Sequence, residues 1–179
     1  EALVRWDQPL LGDIGGEALL RIAARADLTT QLTRKVIEAA LDAVRDWPEG
    51  LKCSINITAA DLAVVRFPDD LLRMVEERGV DPARLTLEIT EQALLGDLDL
   101  AARSLGRLRD AGMRIALDDF GAGFCNFGYL KYLPLDFIKL DRIMLDGVAE
   151  SARDRAVLRA VIAMARALEL AVIAEGVED

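Results

Sequence analysis

The sequence predicts an α/β fold built as a parallel barrel, and three observations carry that prediction. Short apolar runs alternate with longer segments of helical periodicity. Alternation of this kind implies right-handed crossovers between parallel strands. Asn56, Glu88, Asp118, Asp119, Lys139, Asp141 and Glu175 all stand at or just past the C-terminal ends of the apolar runs. In a barrel those ends converge on one face, whereas an open sheet spreads them along an edge. Finally, no low-complexity linker or shift in composition divides the 179 residues, so one domain is expected over 1–179.

Taken in order, the opening segment Glu1–Trp6 is expected to end a strand. Leu51–Ile57, Leu85–Ile89, Arg114–Leu117, Phe137–Leu140 and Ala171–Ala174 read as further strands. Between them, Leu32, Val36, Ile37, Ala40, Leu41 and Val44 share one helical face that stops before Pro48. Leu98, Ala101, Leu105 and Leu108 share another, with Asp97 at its start and Gly112 just past its end. A third face holds Val157, Leu158, Val161, Ile162, Ala165 and Leu168, opened by Ser151 with Asp154 three residues on, a capping pattern. Trp6, Trp47, Phe67 and Tyr132 are expected to be packing residues. Six strand segments fall short of an eight-stranded barrel, which takes about 250 residues. The expected fold is therefore a barrel incomplete at both ends in the chain as given.

Composition excludes several kinds of chemistry. The chain contains no histidine, which removes Ser-His-Asp triads, HExxH zinc sites and imidazole bases together. A metal would have to be held by oxygen, which points to magnesium, manganese or calcium. Cys53 and Cys125 are far apart and form no CxxC, so neither a disulfide framework nor a zinc ribbon is expected. With no membrane-length apolar run and no basic-then-apolar leader, a reducing cytoplasm is the expected setting. A formal charge of −9 argues against a DNA or RNA polymer as partner. It leaves room for a small anion, because bound cations reverse the local field.

The acidic residues set the chemistry. In LTLEITE, alternation turns Thr86, Glu88 and Thr90 to the face opposite Leu85, Leu87 and Ile89, and hence to the barrel interior. Taken alone, Glu88 reads as half of an ion pair; with Asn56 and Asp118 at matching strand ends, metal ligation becomes the better reading. In RIALDDFGAGF an apolar strand runs into adjacent carboxylates and then a glycine-rich turn. Such a pair could serve two cations roughly 3.5–4 Å apart, able to polarise a phosphoryl oxygen and to generate hydroxide. The DFG triplet is shared with protein kinases, but without histidine there is no HRD loop, and there is no VAIK strand. Gly121 and Gly123 lack the spacing of a dinucleotide fingerprint. Lys139 and Asp141 lie on one strand face; they fit a charge-offsetting lysine near phosphate or a buried ion pair. Glu175 suits a metal ligand or a general base, and Arg5 a phosphate contact. Phe124 or Phe127 could border a nucleobase.

Six motifs follow one another in order: EALVRW at Glu1–Trp6, SINIT at Ser54–Thr58, LEITE at Leu87–Glu91, DDFGAGF at Asp118–Phe124, YLKYLPLDFIKLD at Tyr129–Asp141 and AEGVED at Ala174–Asp179. Together they resemble the EAL-domain family of cyclic di-GMP phosphodiesterases over the whole chain. The resemblance implies a TIM-type barrel holding two divalent cations, Mg2+ or Mn2+, and hydrolysis of cyclic di-GMP to linear pGpG. It implies Glu1, Asn56, Glu88 and Asp118 as ligands of one ion. Asp118 would also bridge to the second, which Asp119 helps to hold, and Glu175 would ligate or act as base toward the attacking water. Lys139, Glu175 and Glu91 form the implied catalytic set, with Glu91 steadying the loop after the Asp pair. Arg5 is the implied phosphate contact, and Asp141 is the acidic neighbour of Lys139 on the substrate side.

The family pattern also has a strand before the EAL signature and a later strand with a QGY-type glutamine. Neither is present in this chain, in agreement with the strand count. Ala122 stands where the family often has Thr, and Cys125 and Asn126 where it often has Ser. A homodimer and fused sensory or diguanylate-cyclase domains are further implications. Degenerate relatives that bind cyclic di-GMP without turnover supply the alternative reading, against which the intact carboxylates weigh. A different metal-dependent barrel enzyme acting on an enolisable acid is a third.

Overall fold

The computed structural model describes residues 1–10, 12–123 and 127–176, Phe127 by its backbone alone. Phe124, Cys125 and Asn126, and the last three residues of the AEGVED motif, lie outside the described residues. Arg5–Gln8 (β1) and Gly12–Gly15 (β2) form an antiparallel hairpin, followed by helices Gly16–Arg25 (α1) and Thr29–Arg45 (α2). Then come Cys53–Asn56 (β3), Ala59–Leu62 (α3), Phe67–Glu77 (α4), Leu85–Thr90 (β4), Leu98–Asp110 (α5) and Arg114–Phe120 (β5). Phe127–Tyr132 (α6), Phe137–Leu140 (β6), Ala152–Ala167 (α7) and Ala171–Ala174 (β7) complete the described elements.

The sheet decides between barrel and open fold. Its order is β3-β4-β5-β6-β7, every neighbouring pair parallel. A doubly wound sheet reverses its strand order at a switch point; here the order never reverses. The fold is α/β of TIM-barrel type, and all five strands point their C-terminal ends the same way. Ala2 adds a parallel bridge to Ile55, its amide donating to the Ser54 carbonyl at 2.8 Å, so the opening segment runs beside β3.

Alternation along each strand splits its residues between two environments. Leu85, Leu87 and Ile89 of β4 are wholly buried, as are Ile55 on β3, Ile115 on β5 and Ile138 on β6. They join one core with Ile37, Leu41, Leu105 and Leu108 from α2 and α5. Fully burying an aliphatic side chain stabilises a fold by about 1.5–3 kcal/mol, which fixes the register. The opposite face then carries Asn56, Glu88, Ala116, Asp118 and Lys139.

Helix starts follow local chemistry. The Asp97 carboxylate accepts from the Leu100 amide at 2.9 Å, and Ser151 Oγ accepts from the Asp154 amide at 3.2 Å, as their spacing predicts. Thr58 and Asp61 form a reciprocal capping box at α3. Asp61 is buried there, and burial pushes its carboxyl above the ordinary range against the hydrogen bonds from Thr58.

Several expectations need correction. Past its Ala2 bridge the opening segment turns into the β1–β2 hairpin, with Gly12 at φ +73° closing the return. Helices α1, α3 and α4 carried no sequence assignment, although Pro68 in the first turn of α4 and Asp69 and Asp70 beside it are start signals. Phe67 is a core residue, but Trp6, Trp47 and Tyr132 keep 46%, 38% and 66% of their surface exposed. On α7 only Val161 and Ala165 are buried, while Val157 and, just past the helix, Leu168 face solvent. Among the described residues no helix is long and apolar enough to cross a membrane.

Candidate metal centre and active site

Five strand ends deliver the polar residues to one place. In β3 and β4, Asn56 pairs in register with Glu88, so both side chains stand at one level of the inner face. The Asn56 amide nitrogen donates to Glu1 Oε1 at 2.8 Å, which ties the first residue to the site. Glu88 is buried, and Ser54, one inner-face position below Asn56, also hydrogen-bonds its carboxylate.

In β5 the register slips. Leu117 pairs with Ile138 but Phe120 pairs with Leu140, so three steps along β5 match two along β6. The surplus residue makes a bulge at the Asp pair, and Asp119 takes φ +53°. Bulges re-aim side chains, and Asp tolerates the left-handed region better than most residues. A regular strand would send adjacent side chains to opposite faces. Here oxygens of Asp118, Asp119 and Glu175 all lie within 4.8 Å of one another. The Asp118 carboxylate also accepts from the Asp119 amide at 3.0 Å, bracing the bulge.

Lys139, from β6, is buried at the centre. Its Nζ lies 2.9 Å from Glu88 Oε2, 3.1 Å from Asp118 Oδ1 and 2.8 Å from Glu175 Oε1. Burial by itself would lower its pKa; hydrogen bonds to Glu175, Glu88 and Asp118 outweigh that and hold it above the ordinary lysine value. For Glu88 burial dominates and raises the carboxyl despite Lys139. Asp119 is also raised, by burial first and then by the charges of Asp118, Asp141 and Glu175. Glu88, Asp118 and Glu175 thus meet one ammonium, with Asp119 beside Asp118 and Glu175 and with Glu1 tied in through Asn56, so negative charge is in excess. The donors are all oxygen, and the excess negative charge suits divalent cations. The residues fit that group.

The remaining candidates sit around this cluster. Asp141 follows β6 and caps the turn Arg142–Met144, Oδ1 accepting from the Ile143 amide at 2.8 Å. Glu91 opens the turn after β4 and is buried; a Cβ placed at Gly123 would lie 3.6 Å from its Oε2, so its carboxylate underlies the loop after the Asp pair. Thr90, Glu91, Gln92, Asp119, Gly123 and Tyr129 border a cavity of about 490 Å³ beside Asp119. Arg5 lies in β1 with an exposed side chain, donates to the Val4 carbonyl at 2.9 Å, and is not among the residues that Lys139 joins. Ser54 was missed in the sequence, although its place two residues before Asn56 put it on the same strand face.

Comparison with known proteins accords with this geometry. The EAL domain profile matches residues 1–179. The cyclic di-GMP phosphodiesterase NbdA of Pseudomonas aeruginosa is 36% identical over 182 residues, covering 99% of this chain and 23% of that protein. The bifunctional diguanylate cyclase/cyclic di-GMP phosphodiesterase MucR of Pseudomonas aeruginosa is 32% identical over 182 residues, covering 99% of this chain and 27% of its own length. The chain therefore spans about a quarter of the curated relatives it matches. The solved PaMucR phosphodiesterase in complex with c-di-GMP superposes with a TM-score of 0.88 at 31% identity, covering 99% of this chain and 73% of that one. In sequence, strand order and the acidic centre at the strand ends, this chain belongs to the EAL domain family.

Proposed function

We propose that this chain hydrolyses cyclic di-GMP to linear pGpG, with two divalent cations, Mg2+ or Mn2+, as cofactors. The observation that carries the reading is the cluster of Glu88, Asp118, Asp119 and Glu175 with Lys139 at the strand ends of an EAL domain. Relatives named as cyclic di-GMP phosphodiesterases, and a solved relative in complex with c-di-GMP, support the substrate.

Glu1, Asn56, Glu88 and Asp118 would hold one cation, and Asp118, Asp119 and Glu175 the other. Bound there, the cations would supply Lewis-acid stabilisation of phosphoryl charge and a more acidic water. The chain's own residues do the rest. Glu175, half-exposed just past β7, takes the proton of the attacking water as its oxygen bonds to phosphorus; the P–O3′ bond breaks and the leaving O3′ takes up a proton from solvent. Lys139, held as an ammonium among carboxylates, meets negative charge developing on the phosphate. Glu91 supports the loop beyond the Asp pair from below, and Arg5 and Asp141 contact the substrate. The bifunctional name of MucR supports a protein that carries a further domain such as a diguanylate cyclase. A homodimer and a cytoplasmic location complete the reading.

The test is hydrolysis of cyclic di-GMP by the full-length protein with Mg2+ or Mn2+, beside Asp118→Asn. Metal-dependent pGpG that disappears in the variant is the expected result. Tight binding with no product would instead make the domain a receptor.

A further inference from the structure

Three strand ends of the site are laced together by a segment outside the ligand set. The Asp141 amide donates to the Phe120 carbonyl of β5 at 3.2 Å, and the Glu175 amide beyond β7 donates to the Leu140 carbonyl at 3.2 Å. Directly after these two links comes the short turn Arg142–Met144. On one side it presses on Gly121, two residues past Asp119: a Cβ there would strike Met144 Cγ and Sδ. On the other it presses on Gly176, next to Glu175: a Cβ there would lie 3.3 Å from Arg142 Cβ and 3.4 Å from Cδ. Both glycines have positive φ, +99° and +65°. The Met144 side chain packs against the core, so the turn has a fixed seat.

We propose that the turn Arg142–Met144 is a wedge, in which Met144 and Arg142 are positioning residues that set Asp118 and Asp119 against Glu175. The wedge thereby sets the affinity of the centre for divalent cations. The proposal rests on the two-cation reading above. The cluster shows where such a device acts: Asp119 sits in a bulge and Glu175 just past its strand, so the ladder holds their backbones without fixing where both side chains point. Arg142 and Met144 fill the two spaces that the glycines leave, one against each strand end. Residues that orient metal ligands without touching the metal change its affinity by roughly 10–100-fold when removed.

The experiment is Mn2+ titration of the full-length protein, following free Mn2+ by its paramagnetic resonance, with melting temperature measured in the absence of metal. Met144→Ala is expected to weaken binding by about ten-fold or more, and Met144→Leu, which refills the space, to restore most of it. Arg142→Ala, which removes the Cγ and Cδ packed toward Gly176 together with the exposed ion pair to Asp146, is expected to weaken binding by about ten-fold. Unchanged affinity in both alanine variants would overturn the wedge. So would a loss in Met144→Ala that follows only its melting temperature and is not restored by Met144→Leu. A wild-type protein that binds no Mn2+ would remove the two-cation reading itself, and the wedge with it, so the wild-type titration separates the two failures.

Discussion

The centre has two halves, and they are built on different principles. Around Lys139, Glu88 and Asp118 are buried and ion-paired, and Glu175 joins them from the rim. At the other end, Glu1 is exposed and meets the amide of Asn56 through a neutral donor. In the first half electrostatics dominate, because desolvated charges cannot be left unpaired. In the second half solvent already serves the carboxylate, and the hydrogen bond mainly orients it. One half is held by buried ion pairs; the other is held by a single hydrogen bond at the surface.

Lys139→Met should have the largest effect, since it leaves three carboxylates together without a cation. Without metal, urea denaturation should show a loss of about 3–5 kcal/mol, the usual cost of breaking a buried pair. Mn2+ should narrow that deficit. Equal stability of the metal-free variant and wild type would dissolve the distinction between the halves. The folded-state pKa of Lys139 is raised above that of a free lysine. Its stabilisation is therefore complete below about pH 10.4 and is lost only as pH rises through the folded value.

Asp118→Asn keeps the shape of the bulge while removing a charge that both cations would share. Turnover of cyclic di-GMP should fall by about 10²–10³-fold or more, as when a principal source of charge stabilisation is deleted. Near-wild-type turnover would take Asp118 out of the ligand set. Gly121→Ala comes next, with left-handed backbone strain and a collision with Met144. A destabilisation of about 1–3 kcal/mol in thermal melts is expected; an unchanged melt would mean that the loop yields freely. Asn56→Ala should cost the metal-free fold only about 0.5–1.5 kcal/mol yet still reduce turnover. If its stability loss matched that of Lys139→Met, the exposed half would be structural as well.

Much of this was legible because it is local. The strands Leu85–Thr90, Arg114–Phe120 and Phe137–Leu140 have apolar alternation or apolar runs that only one face can bury. The caps at Asp97 and Ser151 are decided by residues within one turn. Glu88 and Asp118 were legible together because they stand at matching strand ends, and alternation turns Glu88 to the inner face. Trp6 and Tyr132 were misread, since residue type gives size and hydropathy but not the position of the surface.

By itself the sequence determined the α/β alternation, the sequential parallel strands, the family motifs and the exclusion of histidine chemistry. Each of these follows from periodicity, composition or order along the chain. Only the tertiary structure decided that adjacent Asp118 and Asp119 both reach Glu175. That depends on a register slip against β6 and a positive φ, neither of which a strand's own pattern specifies. It also decided that one lysine touches Glu88, Asp118 and Glu175, contacts spanning 21 to 51 residues along the chain. Long-range ion pairing is set by how strands neighbour one another in space, and no local preference encodes it.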